Sequence, residues 1–422
     1  MPPKKKIGFL FLFFAFWLFA APVSASQKRV TIAVLWGGKE LKAFRSMVVP
    51  FEKRTGIEIV IESLGRDLPT VLMTRFQAGN PPDMAAMPNP GQMKEFILEK
   101  GLAPLNQEII KNHQKAIAEL GFYKGKLYGV FISADLKSLI WYNPRRFNAA
   151  GYKVPNTWQE LIALSDKIAE DGAKPWCIGL ESGAASGWPG TDWIEDILLR
   201  TAGPEVYDKW VNHEIKWTDQ RIYRAWEDFG QIARNNRYLF GGTTGVLTTN
   251  FGDSPLNLFS EPPRCYLHRQ ATFIQSFVKK ADPDLIPGED YDIFVFPSID
   301  KRFGTPLVGS GDLISVFRDT PESRQFVAYL ASLEAQEIWI KKTGKLGINK
   351  EIDLSLYEDP VTVKAADILR AAQVFRFDGS DLMPAAVGSG SFWKGVLDYV
   401  NGEDLDKVLR RIEQSADYAY GH

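Results

Sequence analysis

The stretch RVTIAVLWGGKELKAFRSMVVPFEKRTGIEIVIES, Arg29 to Ser63, sets the architecture of this 422-residue chain. Arg29 to Trp36 reads as a β-run closed by Gly37-Gly38. From Glu40 to Thr55 apolar residues recur at helical spacing, with Leu41, Phe44, Val48 and Phe51 on one face, and Ile57 to Ser63 returns to strand. A helix from Asp67 to Ala78 follows, ended by Gly79-Asn80-Pro81-Pro82, then a short buried strand from Asp83 to Met87 closed by Pro88 and Pro90. This βαβαβ order implies an open, largely parallel sheet whose ligands bind outside the carboxyl ends of its strands.

Outward from that unit the alternation repeats. Leu127 to Tyr142 is a long extended run, Trp158 to Ala169 a helix entered through Thr157, Trp176 to Leu180 a strand, and Asp192 to Thr201 a helix. Tyr291 to Phe317 reads as two strands joined through Pro297 and Leu307-Val308-Gly309-Ser310-Gly311. Helices from Glu322 to Thr343 and Leu405 to Ser415 complete the chain. The pattern predicts two α/β lobes, each a mostly parallel sheet flanked by helices. Residues 26–134 and 299–346 form the first lobe, 138–295 and 348–422 the second, and 135–137 and 296–298 the hinge crossovers.

Before this fold lies an export signal. Lys4, Lys5 and Lys6 precede an apolar run from Ile7 to Ala21, and Val23-Ser24-Ala25 offers small residues for cleavage after Ala25. That run is shorter than the ~20 residues that span a bilayer, and no Cys near the site allows lipidation, so a periplasmic protein is expected. Fifty basic and 51 acidic side chains nearly cancel, and no basic tract follows the signal, which argues against nucleic acid as a partner. An oxidising compartment lets Cys177 and Cys265, the only pair, form a disulfide; the alternative is two buried thiols. No metal or cofactor motif is present: the four histidines are scattered, and there is no P-loop, His-x-x-x-His or Gly-x-Ser-x-Gly.

Several ordered segments resemble the family 1 extracellular solute-binding proteins of ABC sugar importers. They are Pro50-Phe51-Glu52-Lys53-Arg54-Thr55-Gly56-Ile57, Ala78-Gly79-Asn80-Pro81-Pro82-Asp83, Trp141-Tyr142-Asn143, Gly151 to Trp158, Gly187 to Trp193 and Ser391-Phe392-Trp393. Asp378-Gly379-Ser380-Asp381-Leu382-Met383-Pro384 and the context of the two cysteines resemble the maltose/α-glucoside-binding branch. The resemblance implies a type II two-lobe fold that closes over a sugar, no catalysis and no cofactor. It also implies a monomer that delivers its ligand to membrane permease subunits.

Sugar recognition needs planar hydrogen-bonding side chains and aromatic plates, and both recur at the strand ends. Trp36, Lys39 and Glu40 end the first strand and open a helix, and Asn89 and Gln92 follow the third. Asp135 sits where the first crossover leaves lobe one, and the resemblance gives it sugar hydroxyls as partners. Trp188 and Asp192 stand at a helix entrance, while Trp193 reads as core. Arg269 and Phe273, four apart, match a helix that closes the cleft in relatives, although Phe273 reads equally well as core. Gly309 and Asp312 line the second crossover, and in relatives an aromatic at the place of Trp393 stacks on a glucose ring. The rival reading is a secreted glycoside hydrolase with Asp135 and Asp192 as its carboxylate pair in a Trp-lined cleft.

Overall fold

A computed structural model of the chain describes Met1, residues 28–88 and residues 90–421, so the export signal and Asn89 lie outside the described residues. Val30, Ile32, Ala33 and Val34 have no exposed surface, because strand Arg29–Val34 lies inside a five-stranded sheet. It pairs in parallel with Glu58–Ser63 on one side and Met84–Met87 on the other. Leu313–Val316 and Gly129–Phe131 extend the sheet antiparallel. Helix Gly38–Thr55 buries Phe44, Met47, Val48 and Phe51 on one face and packs on helix Leu333–Thr343. It stops where Gly56 turns left-handed at φ 69° and its N–H bonds to Glu52 O.

The second lobe is built on strands Asp292–Val295, Leu139–Tyr142 and Leu267–Arg269, and here the expected parallel arrangement fails: both pairings are antiparallel. Helices do lie between these strands in the chain, but Leu267–Arg269 and Asp292–Val295 both run opposite to Leu139–Tyr142. Trp176 to Leu180 makes isolated bridges to Leu239 and Leu267 instead of a strand. Helices Trp158–Glu170, Trp188–Ala202, Gln220–Ala233 and Leu405–Tyr420 contribute to one core with Trp176, Trp193, Trp210, Trp217 and Trp226, each no more than 1% exposed. Much of the aromatic content therefore serves packing. The Cys177–Cys265 disulfide is formed and closes a loop of sequence separation 88.

Both crossings have the same construction. The run Leu127 to Tyr142 divides into Gly129–Phe131, Asp135–Leu136 and Leu139–Tyr142, each in a different sheet. The return divides likewise into Asp292–Val295, Leu307–Ser310 and Leu313–Val316, three strands where two were expected. The middle pieces pair antiparallel, Gly309 with Leu136 and Ser310 with Asp135, and Phe375–Phe377 completes this third sheet. The second crossing therefore lies near 307–312 and not at 296–298. Phe296 still stacks on Trp158 at 5.9 Å, and Asp300 N donates to Arg200 O, both in the second lobe. Residues 348–357 stay with the first lobe, where Gln114 N donates to Ile348 O and Lys350 N to Asn112 O. The expected helix from Glu322 to Thr343 is two, Pro321–Leu330 and Leu333–Thr343, because the Ser332 side chain caps the second.

Candidate functional site

Where the crossovers meet the first lobe, four segments deliver charged groups to one place. The chain leaves strand Arg29–Val34 through Trp36, which is 1% exposed between Phe44 and Trp339 at ring separations of 4.8 and 4.9 Å. Trp36 is thus a core residue and not a ligand plate. Its indole Nε1 donates to Asp312 Oδ2 at 2.8 Å and so fixes the side chain that follows the second crossover strand. The helix that opens at Gly38 carries Lys39 and Glu40 in its first turn. Asp135, on the first crossover strand, accepts from Thr272 Oγ1 of the second lobe at 2.9 Å. Lys345 stands among these groups, its Nζ 3.0 Å from Glu40, 3.6 Å from Asp312 and 3.9 Å from Asp135. Burial works against the Lys345 charge, but Asp312, Asp135 and Glu40 outweigh it and hold the ammonium well above lysine's usual pKa. Burial also raises Asp312, opposed by Lys345 and the Trp36 hydrogen bond.

A cavity of about 380 Å³ opens here, lined by Lys39, Glu40, Asp135 and Lys345 together with Phe273 and Val361. Phe273 lies 6.0 Å from the ring of Trp188, and Phe251 packs against both at 5.2 and 6.2 Å, which makes an aromatic wall on the second lobe. Trp188 opens helix Trp188–Ala202 after Gly187, whose φ of 107° and contact with the Trp393 backbone leave no room for a Cβ: it would come 2.3 Å from Trp393 O. The loop thereby sets Trp188 beside the Trp393 segment. Phe392 is core, against Trp217 at 4.8 Å, whereas Trp393 is half-buried and its Nε1 has no hydrogen-bond partner among the described residues.

Beneath this wall lies a buried ionic network. Lys137 Nζ, 5.4 Å from the Trp188 ring, pairs with Asp192 at 3.0 Å and with Asp378. Arg269 reaches Asp192 at 3.5 Å and Asp196 at 2.6 Å, and Arg200 holds the other oxygen of Asp196 at 2.5 Å. Burial raises Asp192 to about 7, against the pull of Lys137. Asp378, equally desolvated, is held at about 2 by Lys137 and by donors that Asp192 lacks, Ser380 Oγ and Asp381 N–H. The network ties the first crossover to helix Trp188–Ala202 and to the 378–381 turn, and thereby orients the segment that carries Trp188.

These contacts redraw the expected set. Lys39, Glu40, Asp135 and Phe273 share one cavity, Asp312 joins them through Lys345, and Trp188 adjoins Phe273. Asp192 has no exposed surface and Arg269 only 4%, so both belong to the supporting network and not to the cavity wall. Arg269 and Phe273 do not share a helix: Arg269 ends strand Leu267–Arg269, and Phe273 lies in the turn Thr272–Ile274. Gly309 is buried where the crossovers touch, a Cβ there coming 2.6 Å from Asp135 O, which is a packing role. Gln92, 8% exposed, sits in helix Pro90–Leu98, on which the turn Gly379–Leu382 packs. The hydrolase reading fails on Asp192, which is sealed between Lys137 and Arg269 and cannot reach a substrate. Asp192, Glu195 and Asp378 converge as metal ligands would, but Lys137 already supplies the positive charge. Sequence reasoning missed Lys137, although a lone lysine inside the apolar run Leu127 to Tyr142 marks it. It also missed Lys345 and Phe251, which no local pattern distinguishes.

Among known proteins, the chain is similar to the osmoprotective compounds-binding protein GgtB of Synechocystis sp., 44% identical over 394 residues, 92% of each chain. It is 42% identical to the alpha-glucosides-binding periplasmic protein AglE of Rhizobium meliloti over 401 residues, 92% of this chain and 87% of that one. The solved structure of the bacterial solute receptor AcbH superposes with a TM-score of 0.79 at 18% identity, covering 94% of this chain and 99% of that one, which establishes the two-lobe fold. The family model for bacterial extracellular solute-binding proteins matches residues 37–337. No helix among the described residues is long and apolar enough to cross a membrane. With these similarities, and with a cavity bounded by both lobes and the first crossover, the chain belongs to the bacterial extracellular solute-binding protein family.

Proposed function

We propose that the protein captures a small uncharged α-glucoside between its lobes and hands it to the permease of an ABC importer. The observation that carries this reading is the cavity itself, with carboxylates and lysines from the first lobe and the first crossover on one side and the Phe273 ring on the other, backed by Trp188 and Phe251. Glu40 and Asp135 keep acceptor oxygens for sugar hydroxyls, and the aromatic rings offer flat faces to the C–H side of a pyranose. Trp393 supplies a further plate, and Lys39 a donor. GgtB and AglE, named for osmoprotective compounds and α-glucosides, support a ligand of this kind. The paired crossover strands act as the hinge, since bending there moves the lobes without breaking either core. Export with cleavage after Ala25 and a monomeric state complete the proposal.

A thermal-shift screen of the mature protein against mono-, di- and trisaccharides tests it. A saccharide at 100 times its Kd adds about 2.7 kcal/mol of stability. No shift with any α-glucoside, or product formation in the same tubes, would overturn the reading.

A further inference from the structure

Lys345 holds an unusual place for a cation in a site built to accept hydroxyl donors. It follows helix Leu333–Thr343, whose last turn ends at Gly344 in the left-handed region at φ 71°, so the chain doubles back and aims the next side chain at the crossovers. Its ammonium meets one carboxylate from each of three segments: Glu40 from the first helix, Asp135 from the first crossover and Asp312 from the second. The Lys345 side chain is 20% exposed and lines the cavity, so it borders the ligand space and is not sealed beneath it. Asp135 and Asp312 are also fixed by Thr272 and Trp36, so neither depends on Lys345 alone for its orientation. Elsewhere on the wall Lys279 is matched by Asp359 at 3.1 Å, and Lys39 and Lys342 also line the cavity, but Lys345 is the one that stands between Glu40, Asp135 and Asp312.

We propose that Lys345 is the specificity-determining residue of the cleft. Its ammonium fills the position that the amine of a cationic ligand would take between the three carboxylates, and so reserves them for the hydroxyls of an uncharged ligand. The inference rests on the sugar-binding reading and adds the exclusion rule. Two cations cannot share this partly desolvated pocket without repulsion, whereas a hydroxyl adds a donor and no charge. Without the lysine, Glu40 and Asp135 face the cavity with Asp312 behind them and no counter-ion at their centre, and the preference inverts.

The test compares wild type, Lys345→Met, Lys345→Gln and Lys345→Arg by calorimetric titration. The neutral probes are sucrose, trehalose and maltose, and the cationic probes are their 6-amino-6-deoxy derivatives at pH 6.5. Wild type and Lys345→Arg should prefer the neutral sugar. Lys345→Met and Lys345→Gln should shift the ratio of affinities by at least about tenfold toward the amino sugar. A merely structural lysine would weaken both probes together, leaving the ratio within about twofold, and that result overturns the proposal even where the melting temperature falls. If wild type binds none of the three neutral probes, the sugar-binding reading itself fails and takes this inference with it. If it binds one and the ratio is unmoved, only the role of Lys345 fails.

Discussion

Replacing Lys137 by Met removes the ammonium from the centre of the buried network while keeping most of the side-chain volume. Its Nζ lies 3.0 Å from Asp192 and also contacts Asp378, with side-chain exposures of 8%, 0% and 3% for the three groups. At an effective dielectric near 20, a 3.0 Å contact is worth roughly 5 kcal/mol of attraction, and the desolvation of the ammonium offsets much of it. The variant also strands two buried carboxylates, a defect of about 3–5 kcal/mol. Arg269, 3.5 Å from Asp192, softens the loss toward the lower figure. The pH dependence follows from the carboxyl groups. In the wild type Asp378 is held at about 2, below its unfolded value, so its contribution is present above about pH 4 and disappears as pH falls toward 2. Without Lys137 its folded pKa rises above the unfolded value, as that of Asp192 already does, and stability then declines as pH increases. The deficit of Lys137→Met should therefore grow between pH 5 and pH 8. Urea unfolding followed by tryptophan fluorescence at both pH values measures it. A loss under about 1 kcal/mol at both, or a deficit that shrinks with rising pH, would refute the network's role.

Three further outcomes are expected. Cys177→Ser with Cys265→Ser should cost about 4–5 kcal/mol in urea unfolding, the chain-entropy value for a loop of this length, and intact mass should show the wild-type protein two hydrogens lighter than the free-thiol form. Trp393→Phe should weaken sugar binding with little change in melting temperature, and Trp393→Ala should cost about 2–4 kcal/mol of affinity; normal affinity with a much lower melting temperature would assign Trp393 to the core. Small-angle scattering should show a smaller radius of gyration at saturating sugar, and an unchanged profile would remove bending at the paired crossovers from the mechanism.

Local chemistry made the first lobe readable. The period-2 and period-3.6 runs from Arg29 to Met87 and the breakers at Gly56 and Gly79 act within a few residues, and the strands and helices fall where they were expected. The second lobe was less legible because its sheet direction depends on which distant strands meet: Ile140 pairs with Phe294 on one side and Arg269 on the other, a choice no window of sequence contains. The same limit governed the site. Lys39, Glu40 and Asp135 follow from strand-end topology, and they line the cavity. Asp192 and Arg269 have the right chemistry at the right place in the chain, but burial turns them toward one another. Trp36 looked like a plate until helix packing put Phe44 and Trp339 against its faces. Lys345, some 300 residues from Glu40 in sequence, acquires its importance only from the fold.

The measurement that bears most directly on the whole account is a calorimetric titration of the mature wild-type protein with sucrose, trehalose and maltose, with each mixture checked afterwards for hydrolysis. Saturable binding of at least one of them at a single site per chain is expected, with the sugar recovered intact. The absence of heat with all three, or recovery of glucose from any of them, would contradict it.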